Sequence, residues 1–468
     1  MGIAGSGMSS LARIMLARGV PVTGCESRDS ATVRELRELG AQIWIGHSPQ
    51  HLDSCDTLVY TTAIDPAHFE LAAGRERGLR VLRRATALAA MIAGSRCVAI
   101  AGTHGKTTTT SLLATAALDA GLDPSFAIGA NLAGGGNGRA GAGEWFLVEA
   151  DESDGSFLLL WPEIAVVTNV EADHLENHGD LEGVFRAFEQ FVDRIAPGGL
   201  LLYCADDAGA SRLADYARDR DARNRDARNR EDRDLQVRGY GTGSDAEIRL
   251  SDVSELPDAV EFTVHGIGEN PTDVRLSSLI GRHMALNATA ALAVAVELGI
   301  PAGQVAGSWR DFAGVQRRFE FRGEADGVRV YDDYAHHPTE VRAQLGAARG
   351  VLSKPGRLIA IFQPGTYSRT QTFAEEFGQA MALADLAVVM DIFPAREKPI
   401  PGVTGELIAE QVPLPAARIV YEPDWHAVAA RVAALAEPGD VLLTMGIGDV
   451  HLLCADLLAE LAARAARR

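Results

Sequence analysis

The sequence predicts an α/β protein with mostly parallel sheets, and three observations lead there. Short apolar runs alternate with helix-patterned stretches along the chain. One glycine-rich turn follows such a run, and another opens the first helix. Clusters of acids, histidines and asparagines end others, and open parallel sheets place their chemistry at the carboxyl ends of strands. A length of 468 residues, at roughly 100–200 per domain, makes three domains the central expectation.

The first domain is expected over residues 1–86. Leu11–Arg18 reads as a helix after a glycine turn, and Leu58–Thr62 as a buried parallel strand. The turn, Gly2-Ile3-Ala4-Gly5-Ser6-Gly7-Met8, inverts the order of the dinucleotide fingerprint. It still suits a diphosphate, with Glu26 about twenty residues on for a ribose hydroxyl. Met1 sits where the strand leading into the turn ought to end, so an upstream extension carrying that strand is expected.

The second domain is expected over residues 87–303. An apolar strand, Cys97–Ala101, runs into A-G-T-H-G-K-T-T-T-T, and a helix follows at Ser111–Ala120. Glycines there let backbone amides curl around phosphate oxygens, and the helix N-terminus adds partial positive charge. Lys106 is placed to bridge the outer phosphates and Thr107 to ligate magnesium. The full P-loop pattern is not met, because Ile100 stands where its first glycine should be. Only three of the 44 basic residues are lysines (Lys106, Lys354, Lys398), which makes one inside a motif more informative.

Two further strands, Phe146–Glu149 and Ile164–Asn169, end in E-A-D-E-S-D-G-S-F and N-V-E-A-D-H-L-E. Crowded acids at a strand tip need a cation or solvent to offset their repulsion, which suits magnesium. Residues 218–234 form a charged run holding the tandem repeat D-A-R-N-R, expected as a solvated loop or frayed helix inserted in this domain.

The third domain, residues 304–468, is expected to carry strands at Val328–Tyr331, Leu358–Phe362, Ala387–Asp391 and Val441–Met445. Its Y-D-D-Y-A-H-H-P-T-E motif could hold a ribose, a carboxylate or a proton shuttle. Just upstream, Arg317, Arg318 and Phe319 stand at the junction, where an arginine could reach a phosphate.

Composition removes other classes. A net charge of -19 argues against nucleic acid and membrane surfaces as general partners. No apolar run reaches the roughly 18 residues of a membrane span, and no signal segment opens the chain, so the cytoplasm is expected. The five cysteines are scattered without a C-x-x-C pair, suggesting neither a disulfide framework nor a zinc site.

Taken in order, and with G-R-H-M-A-L-N, R-R-F-E, Y-S-R-T and M-G-I-G-D-V added, these motifs resemble the Mur ligase family. Its members are ATP-dependent amide-forming enzymes that build bacterial peptidoglycan precursors. The resemblance implies a Rossmann-like N-terminal domain for the UDP-sugar, a P-loop ATPase-like central domain for ATP and Mg2+, and a Rossmann-like C-terminal domain for the amino acid. Gly102, Thr103, His104, Gly105, Lys106, Thr107 and Thr108 would surround the ATP phosphates, and Asn287 the adenine. Thr107, Glu149 and His174 would hold metal, while Arg318 and Asp332 would come from the third domain to phosphates and ribose. Gly2, Gly5, Ser6, Gly7, Met8 and Glu26 would face the UDP-sugar, and Tyr334, His336 and Arg369 the acceptor and amino acid. Lys106, Glu149 and His174 would be catalytic, with His336 as base.

No lysine lies between Lys106 and Lys354, so the carbamylated lysine of other branches is absent. That fits the alanine-adding branch, which joins L-alanine to UDP-N-acetylmuramate, and so does Ser153 after Glu152. The nearest alternative joins a ready-made tripeptide to the same nucleotide in recycling. Gly365 and Thr366 depart from the branch's usual residues in the substrate loop. The expected partners are small molecules only, and the expected state is monomer or homodimer. A nucleotide-dependent dehydrogenase or a non-catalytic nucleotide binder are the readings from other classes.

Overall fold

The computed structural model describes every residue except 133–134, 227–233, 396 and 468, and the side chains of 223–226 lie outside it too. The chain forms two compact units. The first holds Met1–Ser251, Thr263–Val274 and Leu286–Trp309; the second holds Asp252–Phe262, Arg275–Ala285 and Arg310–Arg468.

In the first unit, β1 (Thr23–Glu26) pairs in parallel with β2 (Gln42–Ile45), and β3 (Thr57–Tyr60) with β4 (Arg80–Arg83). The opening residues join the two small sheets. The Met1 ammonium donates to the Val59 carbonyl at 2.8 Å, and the Gly2 amide to the Cys25 carbonyl at 3.0 Å. In β3 only Leu58 is buried, because this two-stranded sheet is covered on one face against Met1, Cys25, Leu52 and Leu71. The first helix spans Ser6–Ala17 and begins five residues before the expected start. Gly5 in extended conformation turns the chain directly into it. This helix packs closely on a later strand: a Cβ on Gly138 would come 2.3 Å from the Ser10 carbonyl oxygen.

Six strands carry one end of the central sheet: β5 (Arg96–Ala101), β6 (Ser125–Leu132), β7 (Gly136–Arg139), β8 (Trp145–Glu149), β9 (Ile164–Val167) and β10 (Leu200–Cys204). They lie in the order β10-β9-β5-β8-β6-β7, with β6 and β7 antiparallel and the other neighbours parallel. Four more, β11 (Gln236–Gly241), β12 (Ile248–Glu255), β13 (Ala259–His265) and β14 (Thr272–Ser277), extend the sheet beyond β10. Cys97–Ala101 is buried along its whole length, as expected for a parallel strand with both faces covered. Strand order reverses around β5, and that is where an open sheet forms its crevice.

The helix after β5 spans Lys106–Asp119, so Lys106 and Thr107 sit in its first turn rather than in the preceding loop. Its four successive threonines are weak helix formers, yet Thr107–Thr110 are all buried, and packing overrides propensity. The charged run enters the helix Ala208–Asp226, while 227–233 lie outside the described residues.

The second unit carries β15 (Glu320–Ala325), β16 (Val328–Asp333), β17 (Leu358–Phe362), β18 (Leu386–Met390), β19 (Ile419–Glu422) and β20 (Val441–Met445). Their order is β15-β16-β20-β17-β18-β19, with only β15 antiparallel. The four expected strands are present. β15 and β19 escaped the sequence because edge strands are half-exposed and lack an unbroken apolar run. β20 inserts between β16 and β17, which places a second crevice beside the ends of those strands.

Candidate active site

The glycine-rich loop after β5 is shaped by two left-handed glycines, Gly102 (φ +132°) and Gly105 (φ +84°). Neither tolerates a side chain. A Cβ on Gly102 would come 2.0 Å from the Thr168 hydroxyl, and one on Gly105 would come 2.4 Å from Asn287 Oδ1. The tip of β9 holds the loop in place: the His104 amide donates to Asn169 Oδ1 at 2.7 Å, and Asn169 Nδ2 donates to the His104 carbonyl at 3.1 Å. Thr103 accepts the Glu171 amide at 2.9 Å. Gly105 caps the following helix without a side-chain acceptor, which leaves first-turn amides for an anion.

Acids crowd the same helix end. Lys106 Nζ lies 2.8 Å from Glu152 Oε2 and also donates to the Thr103 carbonyl at 3.2 Å. Burial acts against its charge, but Glu152, Glu149 and Asp151 outweigh burial and raise its pKa. Burial pushes Glu152 up, Lys106 acts the other way, and the neighbouring Asp151 adds to the rise. Thr107 Oγ1 lies 3.0 Å from both oxygens of Glu149, and the Gly129 amide donates to Glu149 Oε2 at 2.7 Å. The structure therefore brings Lys106, Thr107 and Glu149 together. His174, left-handed at φ +51°, stands between Glu176 at 3.3 Å and Asp173 at 3.6 Å. Among the described residues, it shares no ready-made three-ligand cluster with Glu149. Thr108 is buried within the helix and Met284 within the core, while Asn287 lies against Gly105.

The N-terminal turn lies in the same unit. Gly2 is left-handed at φ +68°, Gly5 and Ser6 are exposed, and Met8 is buried. Glu26 accepts the Ala4 amide at 3.0 Å, so its carboxylate braces the turn from the end of β1. Arg84 fills the space beside Gly7, where a Cβ would meet it at 2.8 Å, and reaches Asp151 at 3.5 Å. It links the turn to the acidic tip of β8.

In the second unit, Arg317 and Phe319 are both left-handed (φ +59° and +49°) on either side of Arg318. Non-glycine residues adopt that region only when their surroundings impose it. Here the Phe319 amide donates to Asp333 Oδ2 at 2.7 Å, and the Tyr334 amide donates to the Arg317 carbonyl at 2.7 Å. Arg317 Nε donates to Asp332 Oδ2 at 2.9 Å and its other nitrogens to the carbonyls of Gly446 and Gly448. Asp332 is wholly buried and also accepts from Thr444 at 2.7 Å. Its carboxylate thus holds Arg317 instead of presenting an open face to a ribose. Burial raises Asp333 to about 6, with Arg318 acting the other way.

Tyr334 lies under both arginines, with Arg317 4.9 Å and Arg318 5.6 Å from its ring centre. His336 Nδ1 is 2.9 Å from the Tyr334 carbonyl oxygen and 3.1 Å from Glu340. Arg369 is buried in the helix Tyr367–Met381, which follows Gly365 and the left-handed Thr366 (φ +65°).

Three segments match known families: residues 1–96 the Mur ligase family catalytic domain, 147–295 the Mur ligase middle domain, and 317–448 the Mur ligase glutamate ligase domain. The chain belongs to the Mur ligase family. It is 51% identical over 467 residues to the UDP-N-acetylmuramate–L-alanine ligase of Saccharopolyspora erythraea, covering 98% of this chain and 92% of that protein. The enzyme of the same name from Kineococcus radiotolerans is 50% identical, covering 99% and 96%. In fold, the chain resembles the UDP-N-acetylmuramate-alanine ligase of Thermotoga maritima, with TM-score 0.80, 24% identity, and coverage of 100% and 98%. It also resembles a murein peptide ligase of Psychrobacter arcticus, with TM-score 0.72, 24% identity, and 98% coverage of each.

Mur ligases use ATP, and this member holds functional candidates that sequence reasoning missed. Glu152 was hidden in a crowd of acids, and only its approach to Lys106 separates it from Asp151 and Asp154. Arg84 carried no local signal. His283, in G-R-H-M-A-L-N, is lowered to about 4 by burial and by Arg318.

Proposed function

We propose that this Mur ligase joins L-alanine to the lactyl carboxylate of UDP-N-acetylmuramate, converting ATP to ADP and phosphate in peptidoglycan precursor synthesis. The observation that carries this reading is the 50–51% identity, over nearly the whole chain, to relatives bearing that name. The substrates are small soluble molecules, which fits the cytoplasm and a monomer or homodimer.

The lactyl carboxylate attacks the γ-phosphorus, the bond to ADP breaks, and an acyl phosphate forms. The amine of alanine then attacks the acyl carbon, phosphate leaves, and a proton passes to a base. Lys106 offsets the charge gathering between two anions, and the uncapped helix after Gly105 takes phosphate oxygens on its amides. Thr107 and Glu149 offer hard oxygen donors side by side, which suits magnesium, with His174 as a further candidate. Magnesium bound there would supply electrostatic relief to the phosphates. Arg318 is the second unit's candidate for the phosphates, and Asp332 acts through Arg317. Among UDP-sugar candidates, Gly2, Gly5, Ser6 and Gly7 form the turn that Glu26 braces.

His336 is the proposed base. Its contact with the Tyr334 carbonyl needs a protonated Nδ1, which leaves Nε2 to accept a proton. An acyl phosphate hydrolyses in water, so the reaction also requires a shielded site.

Phosphate release with UDP-N-acetylmuramate, ATP and magnesium tests the reading across L-alanine, glycine, L-serine and a tripeptide. L-Alanine should support turnover. Dependence on the tripeptide alone would overturn the assignment and tie the Gly365–Thr366 departure to acceptor choice.

A further inference from the structure

The N-terminal sheets hold a group of side chains to which the proposed ligation assigns no role. Glu70, at the start of the helix Phe69–Glu76, is wholly buried. One of its oxygens lies 2.9 Å from His47 Nδ1 and 3.5 Å from Cys25 Sγ, and the other lies 3.5 Å from His51 Nδ1. Cys25 Sγ is in turn 3.4 Å from His47 Nδ1. The ligand atoms of Cys25, His51 and Glu70 all fall within 4.8 Å of one another, and so do those of His47, His68 and Glu70. His51 is aimed by its ring, which stacks on Trp44 at 4.5 Å and 4°. Its Nδ1 is buried and makes no hydrogen bond among the described residues.

We propose that Cys25, His47, His51 and Glu70 form a structural site for a borderline-soft divalent ion of the zinc class, separate from the nucleotide site. Such an ion takes thiolate, imidazole and carboxylate together, and hard magnesium does not take the sulfur. Bonds of about 2.0–2.3 Å at tetrahedral angles separate ligand atoms by about 3.3–3.7 Å. The contacts at 3.4 and 3.5 Å fall in that range, and the 2.9 Å hydrogen bond between His47 and Glu70 would open on binding. Cys25, His51 and Glu70 supply three protein ligands, and His47, 3.4 Å from the sulfur and 2.9 Å from Glu70, is the fourth that would close the site. The ion would tie the end of β1, the segment after β2 and the start of the Phe69 helix to one point, one residue from the Glu26 that braces the glycine turn. The Cys25 sulfur and the buried Glu70 carboxylate are in contact at 3.5 Å, and an ion that displaces the thiol proton would bridge the two.

The full chain, stripped with chelator and titrated with Co2+, tests this. The expected result is one tightly held ion per chain with a sulfur-to-cobalt charge-transfer band in the near ultraviolet. The band should vanish in Cys25→Ser, persist in Cys55→Ser and persist in Glu149→Gln, which alters the nucleotide site. His51→Asn, which removes the buried imidazole nitrogen that makes no hydrogen bond among the described residues, should weaken binding by more than the about 10–100-fold that loss of a supporting residue costs. Co2+ that fails to bind, or binds without the sulfur band, would overturn the proposal and leave a proton shared by His47 and Glu70. A band that survives in Cys25→Ser would overturn it as well.

Discussion

At the tip of β8, Lys106 and Arg84 face Glu149, Asp151 and Glu152, whereas at the tip of β16 each buried acid finds its partners within its own unit. Asp332 is satisfied by Arg317 and Thr444, and Asp333 accepts the Phe319 and Ala335 amides. The first region therefore keeps spare negative charge, which a cation and a polyphosphate can use. The second has committed its charge to holding a strained turn, and Arg318 is what that turn presents. Breaking a bond in the first region should cost chemistry. Breaking one in the second should cost the fold.

The largest effect is expected at Asp332. Asp332→Ala leaves the partly buried Arg317 among carbonyls without its counter-ion, and removing one partner of a buried pair destabilises by up to about 3–5 kcal/mol. Denaturant unfolding reads this directly, and a loss below about 1 kcal/mol would remove the contrast.

Lys106→Met comes next, with turnover falling about 10²–10³-fold, the scale of one lost electrostatic stabiliser. Its unfolding midpoint should move less than that of Asp332→Ala. Burial already raises Glu152, so the orphaned acid can take up a proton. Phosphate release and unfolding measured on the same preparation separate the two effects, and equal loss of fold in both variants would contradict the comparison.

The smallest effect is a pH dependence in the second unit. His283 stays neutral in the fold down to about 4, against an ordinary 6.5. The unfolded chain takes up the proton first, so the contribution is complete above 6.5 and is lost as the pH falls towards 4. His283→Gln should flatten that acid limb by at most about 3 kcal/mol. An unchanged slope in thermal unfolding between those pH values would show that His283 does not carry it.

Much of this was legible in the chain. Short apolar runs such as Cys97–Ala101 and Leu358–Phe362, bounded by turn residues, read as strands buried on both faces, and β5 and β17 match them nearly to the residue. The A-G-T-H-G-K-T-T-T-T loop was legible because phosphate binding demands glycine, lysine and threonine at close spacing. Helix starts were not, since Gly5 and Gly105 act as caps through backbone angles and not through side chains. Scattered residues fared worst. Cys25, His47, His51 and Glu70 carry no spacing rule, and only the crossing of β1, the segment after β2 and the Phe69 helix gathers them.

Local order in the chain determined which strands form, where the phosphate loop lies, and that acids cluster at strand tips. These follow from periodicity and from residue chemistry over a few positions. Tertiary structure alone decided which acid meets Lys106, that Asp332 turns inward to Arg317, and that a lone cysteine stands among histidines. Those outcomes depend on burial and distance between segments far apart in sequence. A carboxylate's role is set by whether water, a cation or an arginine reaches it first.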